Sequence, residues 1–556
     1  MKLRNSFILT ACIFISAVVK ADDTASSHTW EPVELSFKAA AARLNPYIET
    51  ISENSSPYLT AEFECNSCAV KKITIPGFWD GGNTWKVRFS APEPGSWTYT
   101  TSSPDKRLNG NKGTIEVTAW TEKEKEEDPC RRGFIYVNET DPRAGRYFIY
   151  SDSTPFLWIG DTWWNWTKKE LLFEDFKKLV DTRSQQGFSV GQLFFPGNGW
   201  EQSSSMLDPS YTMPDFEHLR KTEEMIRYAN EKGITVWIHA WWTRKDMNKT
   251  IGGDKIIRWW KYVVDRLSAY NVIWVLAGEY NMFDYGGLGL DFWNKLGQIV
   301  QNEDPYKRII SAHPTPPGWD GGDGAPQWST AEVLNNESWF SYNQSQSGHG
   351  KWRNEMIPGI VSEAYHMTPA KPIVVTEPWY EFIEGNPTAM DIRFGAWSAM
   401  LSGAAGHSYG GGHVWRAQVP YSPSGDDTWP WEKDFKVNTL LYPGAQSVSF
   451  MAGFLRSIHW WKLDPHPELL SENPSDYCSA DIGKEYLVYL RYGGRVILDL
   501  KNTGTQTNFT ADWIDLTTGQ KIKTIDITGG RNVAFKPPED YPGNLHYKDW
   551  LLHVYR

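Results

Sequence analysis

The chain has 556 residues and a formal net charge of -11, with 15% aromatic residues, 30 Trp and five Cys. It is too long for one ordinary domain, and an acidic balance with no long basic stretch argues against a nucleic-acid partner. The tryptophan excess exceeds what an aliphatic core needs; it fits carbohydrate handling, because indole faces pack on sugar C–H faces while ring N–H groups bond hydroxyls.

In chain order, Lys2 and Arg4, an apolar run from Phe7 to Val19 and the small residue Ala21 read as a signal peptide over 1–21. An exported product, periplasmic or extracellular, is therefore expected. The run is too short to span a bilayer comfortably. Leu9-Thr10-Ala11-Cys12 offers a second reading as a lipoprotein box, which would give a lipid-anchored, cell-surface product. No later segment reads as transmembrane. Removal of the peptide leaves Cys65, Cys68, Cys130 and Cys478, an even count compatible with disulfides whose pairing the sequence does not define. Cys65 and Cys68 have no second CxxC or His pair to complete a zinc site, so a local disulfide or free thiols are expected there.

Residues 29–120 carry short alternating runs such as YLTAEFEC and TWKVRFSAPEPGSWTYTTSS with Pro-Gly and Asn-Gly punctuation, the pattern of an antiparallel β-sandwich. The charged stretch Glu122 to Asp128 reads as a linker or exposed turn. From 133 to 455 the pattern becomes strand, loop, helix, repeated. The strand candidates are FLWIGD, FSVGQLFF, ITVWIHAWW, VIWVLAGEY, RIISAHP, WFSYNQS, PIVVTEPW and AGHSYGG. Amphipathic helices are predicted at 170–186, 214–232, 254–270, 288–302, 351–366 and 387–402, with a poorer interval between the fifth and sixth strands. Eight alternations predict an α/β fold with a central (β/α)8 TIM barrel. No glycine-rich phosphate loop follows the first strand, so a nucleotide cofactor has no support and no cofactor is expected. Residues 460–556 return to short strands and read as a second β-sandwich.

Two of the apolar runs close on a glutamate, VIWVLAGEY on Glu279 and PIVVTEPWY on Glu377. Their separation of 98 residues equals about three βα units of roughly 30 residues each, placing the carboxylates at the ends of the fourth and seventh strands. Facing carboxylates at a barrel mouth suit glycosidic bond cleavage: one protonates the leaving oxygen, and the other attacks the anomeric carbon or activates water.

Several other residues end strands where they would meet a sugar. Asp161 and Trp163 lie in the GDTWW segment, His239 with Trp241 and Trp242 ends the third strand, and His313 ends the fifth. Tyr342 and Gln344 belong to the sixth, with the Tyr342 hydroxyl a candidate donor to the nucleophile. Trp379, beside Glu377, and Trp200 and Trp415 in loops are candidate sugar platforms. The Gly410-Gly411-Gly412 run reads as a flexible loop. A zinc site from His239, His313, His407, His413 and Asp161 has only a weak signal, since no HxH or HxxxH pair is present, and no metal is expected.

At GDTWWNW, VLAGEY and VVTEPWYE the chain resembles the apiosidase-like group of (β/α)8 glycoside hydrolases, which includes glycoside hydrolase family one hundred and forty. GFWDGGNTWKVRFSAPEPGSWTYTT resembles the sandwich often found ahead of such barrels. YLVYLRYGG and DWLLHVYR are similar to a C-terminal sandwich once labelled a collagen-binding domain of a collagenase. The resemblance implies a secreted glycosidase acting on plant or algal polysaccharide or oligosaccharide, with Glu279 as acid/base and Glu377 as nucleophile of a retaining mechanism. The wider clan commonly has Asn before the fourth-strand glutamate; this chain has Gly278. A reading from another class is a carbohydrate-binding protein on an inactive barrel.

Overall fold

The computed structural model describes residues 24–198, 204–316, 328–417, 439–471, 475–538 and 548–556. The expected signal peptide, the lipoprotein box and Trp200 lie outside these. Eight parallel strands form the centre: β1 (Trp158–Trp163), β2 (Val190–Phe194), β3 (Thr235–His239), β4 (Val272–Val275), β5 (Ile310–Ser311), β6 (Asn343–Gln346), β7 (Ile373–Glu377) and β8 (Gly406–Tyr409). Their order in the sheet is β5-β4-β3-β2-β1-β8-β7-β6, so the open seam lies between β5 and β6. Three hydrogen bonds cross it: Ser341 N–H to the Ile310 carbonyl at 2.9 Å, Ile310 N–H to Ser341 Oγ at 3.1 Å, and Ser311 Oγ to the Tyr342 carbonyl at 2.8 Å. The result is a nearly closed barrel.

Every residue of these eight strands is buried, as a parallel sheet packed on both faces requires. Helices cover the outside, among them Phe173–Gln185, Phe216–Asn230, Gly253–Leu267, Leu290–Glu303, Ile357–Tyr365 and Ala389–Leu401. Side-chain caps start two of them. Asp215 accepts from His218 N–H at 3.1 Å, and Thr388 forms a capping box with Asp391. Among the described residues between β5 and β6, where the sequence pattern is poorest, the helix is the short Ala331–Leu334.

The N-terminal section is built from a five-stranded and a three-stranded sheet. All its pairs are antiparallel except Thr24–His28 with Lys112–Thr118, which run parallel. Cys65 and Cys68 form a disulfide here, and Cys130 and Cys478 are buried free thiols. The charged stretch expected as a linker is the helix Glu122–Glu127. Thr121 caps it and receives the Glu124 side chain in return, which gives the charged run a defined start. A three-stranded sheet (Ile135–Val137, Phe148–Tyr150, Pro155–Phe156) then closes the barrel floor. Phe148 packs there against Trp158 and Tyr342, each at 5.5 Å between ring centroids. The C-terminal section has a six-stranded and a three-stranded antiparallel sheet.

Buried ion pairs tie both flanking sections to the barrel. Arg88 of the N-terminal sandwich meets Glu223 through two bonds of 2.8 and 2.9 Å, and Arg266 contacts both Glu223 and Asp80. On the other side Arg393 holds Asp549 through two bonds of 2.7 Å. No helix among the described residues is long and apolar enough to cross a membrane.

Candidate active site

Glu377 is the last residue of β7, and Glu279 follows β4 after an extension whose ladder continues past the strand. Gly278 N–H bonds the Trp241 carbonyl at 2.9 Å, and Tyr280 N–H bonds the His313 carbonyl at 2.8 Å. At Glu279 the backbone enters the left-handed region, φ +47°, a conformation that a non-glycine residue keeps only where its surroundings enforce it. Both carboxylates line one cavity of about 470 Å³ at the barrel mouth, and each residue is only 6% exposed.

The two groups differ sharply in their surroundings. Burial, and then the charge of Glu377, pushes Glu279 up to about 8, against which bonds from Thr315, Gln346 and Trp242 act only in part. Thr315 Oγ1 donates to Glu279 Oε1 at 3.1 Å and Gln346 Nε2 to the same oxygen at 3.3 Å. Burial also opposes ionisation of Glu377, but His313 and His349 together outweigh it and hold the carboxyl at about 2. His313 Nε2 lies 2.8 Å from Glu377 Oε2, and His349 Nε2 lies 3.5 Å from Oε1. The Tyr380 hydroxyl also bonds Glu377, and it accepts from Trp164 Nε1 at 3.0 Å. One carboxyl thus keeps its proton at neutral pH while its neighbour is ionised, the condition for acid and nucleophile chemistry.

Trp164, Trp242, Tyr380, Trp352 and Trp415 wall the cavity, with Arg353 and Arg416 at its edge. Gly278, the departure from the clan's asparagine, has a steric cause. A Cβ at 278 would lie 2.2 Å from the Trp242 ring.

The structure places the sequence-predicted residues as follows. His313 is at the site, behind Glu377. Its Nδ1 faces Gln344 Oε1 at 3.3 Å, so Gln344 stands one layer beneath the cavity instead of lining it. His239 is fully buried, stacked on Trp164 at 4.9 Å, and neither ring nitrogen has a hydrogen-bond partner among the described residues. Burial, and then His313, keeps its pKa well below the usual histidine value. Tyr342 does not reach the nucleophile: its hydroxyl takes Trp237 Nε1 at 3.0 Å and Gln344 Nε2 at 3.1 Å in the barrel floor, and Tyr380 bonds Glu377 instead. Asp161 is not a sugar contact either. It is ion-paired to Arg183 Nε at 2.6 Å and accepts from Trp163 Nε1 at 2.9 Å, in the layer between strand and helix. Trp163 and Trp241 point into that outer layer, against Phe176 and Tyr211 respectively. Trp379 turns away from the cavity and donates to the Glu384 carbonyl at 2.8 Å, holding the loop after β7.

Three of these corrections are one-residue slips. At 163–164 strand alternation accounts for it, since Trp163 follows Asp161 on the outer side. At 241–242 and 379–380 the chain has passed the strand ends His239 and Glu377, and the alternation is broken. Trp164, Trp242 and Tyr380 line the cavity where their neighbours Trp163, Trp241 and Trp379 were expected. The glycine loop is also corrected: a Cβ on Gly410 would lie 2.1 Å from the Tyr380 ring, and one on Gly412 2.6 Å from the Phe382 carbonyl oxygen, so close packing replaces flexibility as the reason for glycine. Sequence reasoning missed His349, Thr315 and Gln346. Gln346 shares a face with Gln344 by period two, a usable signal, whereas His349 sits in a Gly-flanked loop with no period. Of the zinc candidates, His407 is pushed down to about 3 by burial and His413 Nδ1 pairs with the Tyr442 hydroxyl at 2.6 Å. Among the described residues no group of three or more His, Cys, Asp or Glu is arranged to hold a metal.

Residues 142–462 match the family described as the apiosidase-like catalytic domain, and residues 26–104 match a domain of unknown function, DUF5060. A glycoside hydrolase family 5 structure from Bacteroides vulgatus is 19% identical, with a TM-score of 0.64 over 77% of this chain and 94% of that one. A candidate glycoside hydrolase from the same organism is also 19% identical, with a TM-score of 0.67 over 96% of this chain and all of that one. At that identity these likenesses speak for the fold alone. No curated protein sequence matches the chain.

Proposed function

Because the chain belongs to the apiosidase-like family of catalytic domains and is a glycoside hydrolase, we propose that it cleaves its substrate by a retaining mechanism, with Glu279 as acid/base and Glu377 as nucleophile. The observation that carries the division of roles is one cavity in which His313 and His349 hold Glu377 at about 2 while burial and the Glu377 charge raise Glu279 to about 8; retention of configuration is taken from the family resemblance. In the first step Glu279 gives its proton to the glycosidic oxygen while a Glu377 oxygen attacks the anomeric carbon, releasing the leaving alcohol and forming a glycosyl-enzyme ester. In the second, Glu279 takes a proton from water, whose oxygen displaces Glu377 and restores both groups. His313, His349 and Tyr380 keep the Glu377 charge oriented for attack in both steps.

The substrate is a plant or algal polysaccharide or oligosaccharide, supported by the tryptophan-walled cavity; apiosyl glycans head the panel to be tried, since the family takes its name from that activity. Export to the periplasm or beyond is supported by the charged and apolar N-terminal segment and by the Cys65–Cys68 disulfide. The test is Glu279→Gln and Glu377→Gln against a glycan panel, with NMR of the first-formed anomer. Each variant should lose about 100-fold or more of turnover, and the parent should release product with retained configuration. Wild-type turnover in both variants, or an inverted anomer, would overturn the assignment.

A further inference from the structure

Trp242 and Gly278 occupy adjacent barrel positions and are joined by a parallel bridge. The indole lies across the backbone just before the acid: a Cβ at 278 would fall 2.2 Å from Cε3 and 2.4 Å from Cζ3, a separation no real side chain tolerates. The ring cannot retreat easily, because Asn198 holds the Trp242 backbone from both sides. Its Oδ1 accepts from Trp242 N–H at 3.0 Å, and its Nδ2 donates to the Trp242 carbonyl at 2.7 Å. His239 and Trp164 meet the ring at 5.3 and 6.2 Å. The indole N–H bonds the Glu279 carboxyl, and its ring faces the cavity.

From this arrangement we propose that Trp242 is a positioning residue of the acid: its ring, packed on the backbone just before Glu279, together with its N–H acting beside Thr315 and Gln346, fixes the direction in which Glu279 presents its proton, and Gly278 exists to admit the ring. This rests on the acid role assigned to Glu279 above. An indole placed only as a sugar platform would need no bond to the acid and no glycine behind it. A positioned donor strengthens a general acid by cutting the orientations the carboxyl must search. Positions 242 and 278 therefore behave as one unit.

The test compares two substrates of the same glycone, a dinitrophenyl glycoside whose leaving group needs no protonation and an alkyl glycoside or oligosaccharide that does. On kcat/KM, which reads the first step, Glu279→Gln should be far more damaging for the second substrate. Trp242→Phe, which keeps the ring and loses the N–H, should lower kcat/KM for the second substrate about 10-fold to 100-fold and that for the first, whose departure needs no proton, far less. The alkaline limb of kcat/KM should move upward, because a donor to the ionised carboxyl is gone. Gly278→Ala should show the same leaving-group dependence, and in a Trp242→Ala background it should add little. Equal losses on both substrates, or a rise in KM alone, would overturn the positioning role while leaving the Glu279 assignment standing. If Glu279→Gln itself shows no leaving-group dependence, the acid assignment fails and the positioning role falls with it. Thermal melting of each variant separates these results from misfolding, and Gly278→Ala provides an independent arm should Trp242→Phe melt early.

Discussion

Gly410, just past β8, lies so close to Tyr380 that a β-carbon on the glycine would sit 2.1 Å from the tyrosine ring. The same tyrosine bonds Glu377 and receives the Trp164 indole. Gly410→Ala is therefore expected to shift the Tyr380 hydroxyl and lower kcat on the order of 100-fold, the usual cost of misplacing a group by about 1 Å. Steady-state kinetics with a melting curve checks this; the folded state should survive, since the collision is with one ring.

The pH profile carries a sign. Glu377 is ionised above about 2 and Glu279 keeps its proton up to about 8, so kcat/KM should be level across the neutral range and fall as pH rises through about 8. Stability follows the same groups in opposite directions. Glu279 holds its proton more tightly folded than unfolded, so its contribution is full below the ordinary carboxylate value and is lost as pH rises through about 8. For Glu377 the contribution is full above that ordinary value and is lost as pH falls towards about 2. Melting curves of Glu279→Gln between about pH 5 and 8 should be flatter than those of the parent.

Glu223 is the shared acid between Arg88 and Arg266, all three buried. Glu223→Ala removes the carboxylate the two guanidinium groups share and leaves Arg88 on Glu34 and Arg266 on Asp80, so a loss of about 3 kcal/mol, the low end for a broken buried pair, is expected. Urea unfolding followed by tryptophan fluorescence measures it. The first transition should involve the N-terminal sandwich, because Arg88 is one of its buried ties to the barrel helices.

Trp352 is 59% exposed at the cavity rim and packs edge-on against Trp328. Trp352→Ala should cost about 0.5–1.5 kcal/mol of binding for oligosaccharides long enough to reach it, read as a higher KM at unchanged kcat. Small aryl glycosides should be indifferent to the change.

The barrel and the register of its two glutamates were legible because β-branched runs ending in Glu recur at the βα period, and each run is a buried strand or its extension. The walls of the cavity were not legible. In the tandem aromatics at 163–164, 241–242 and 379–380 hydrophobicity is the same at both positions; the pleat decides only the first pair, and the other two lie past His239 and Glu377, where the chain has left the strand and no period applies. His349 was hidden in a loop, where no period exists to place it. The helix Glu122–Glu127 was hidden by its charge, although Thr121 and Glu124 at capping-box spacing were a readable start signal.

The small sheet around Phe148 gives the barrel a solid base. Among the described residues the chamber is thus closed from below, so substrate and both fragments of a cut glycan pass on the mouth side, and the depth at which the anomeric carbon meets Glu377 is set by the floor.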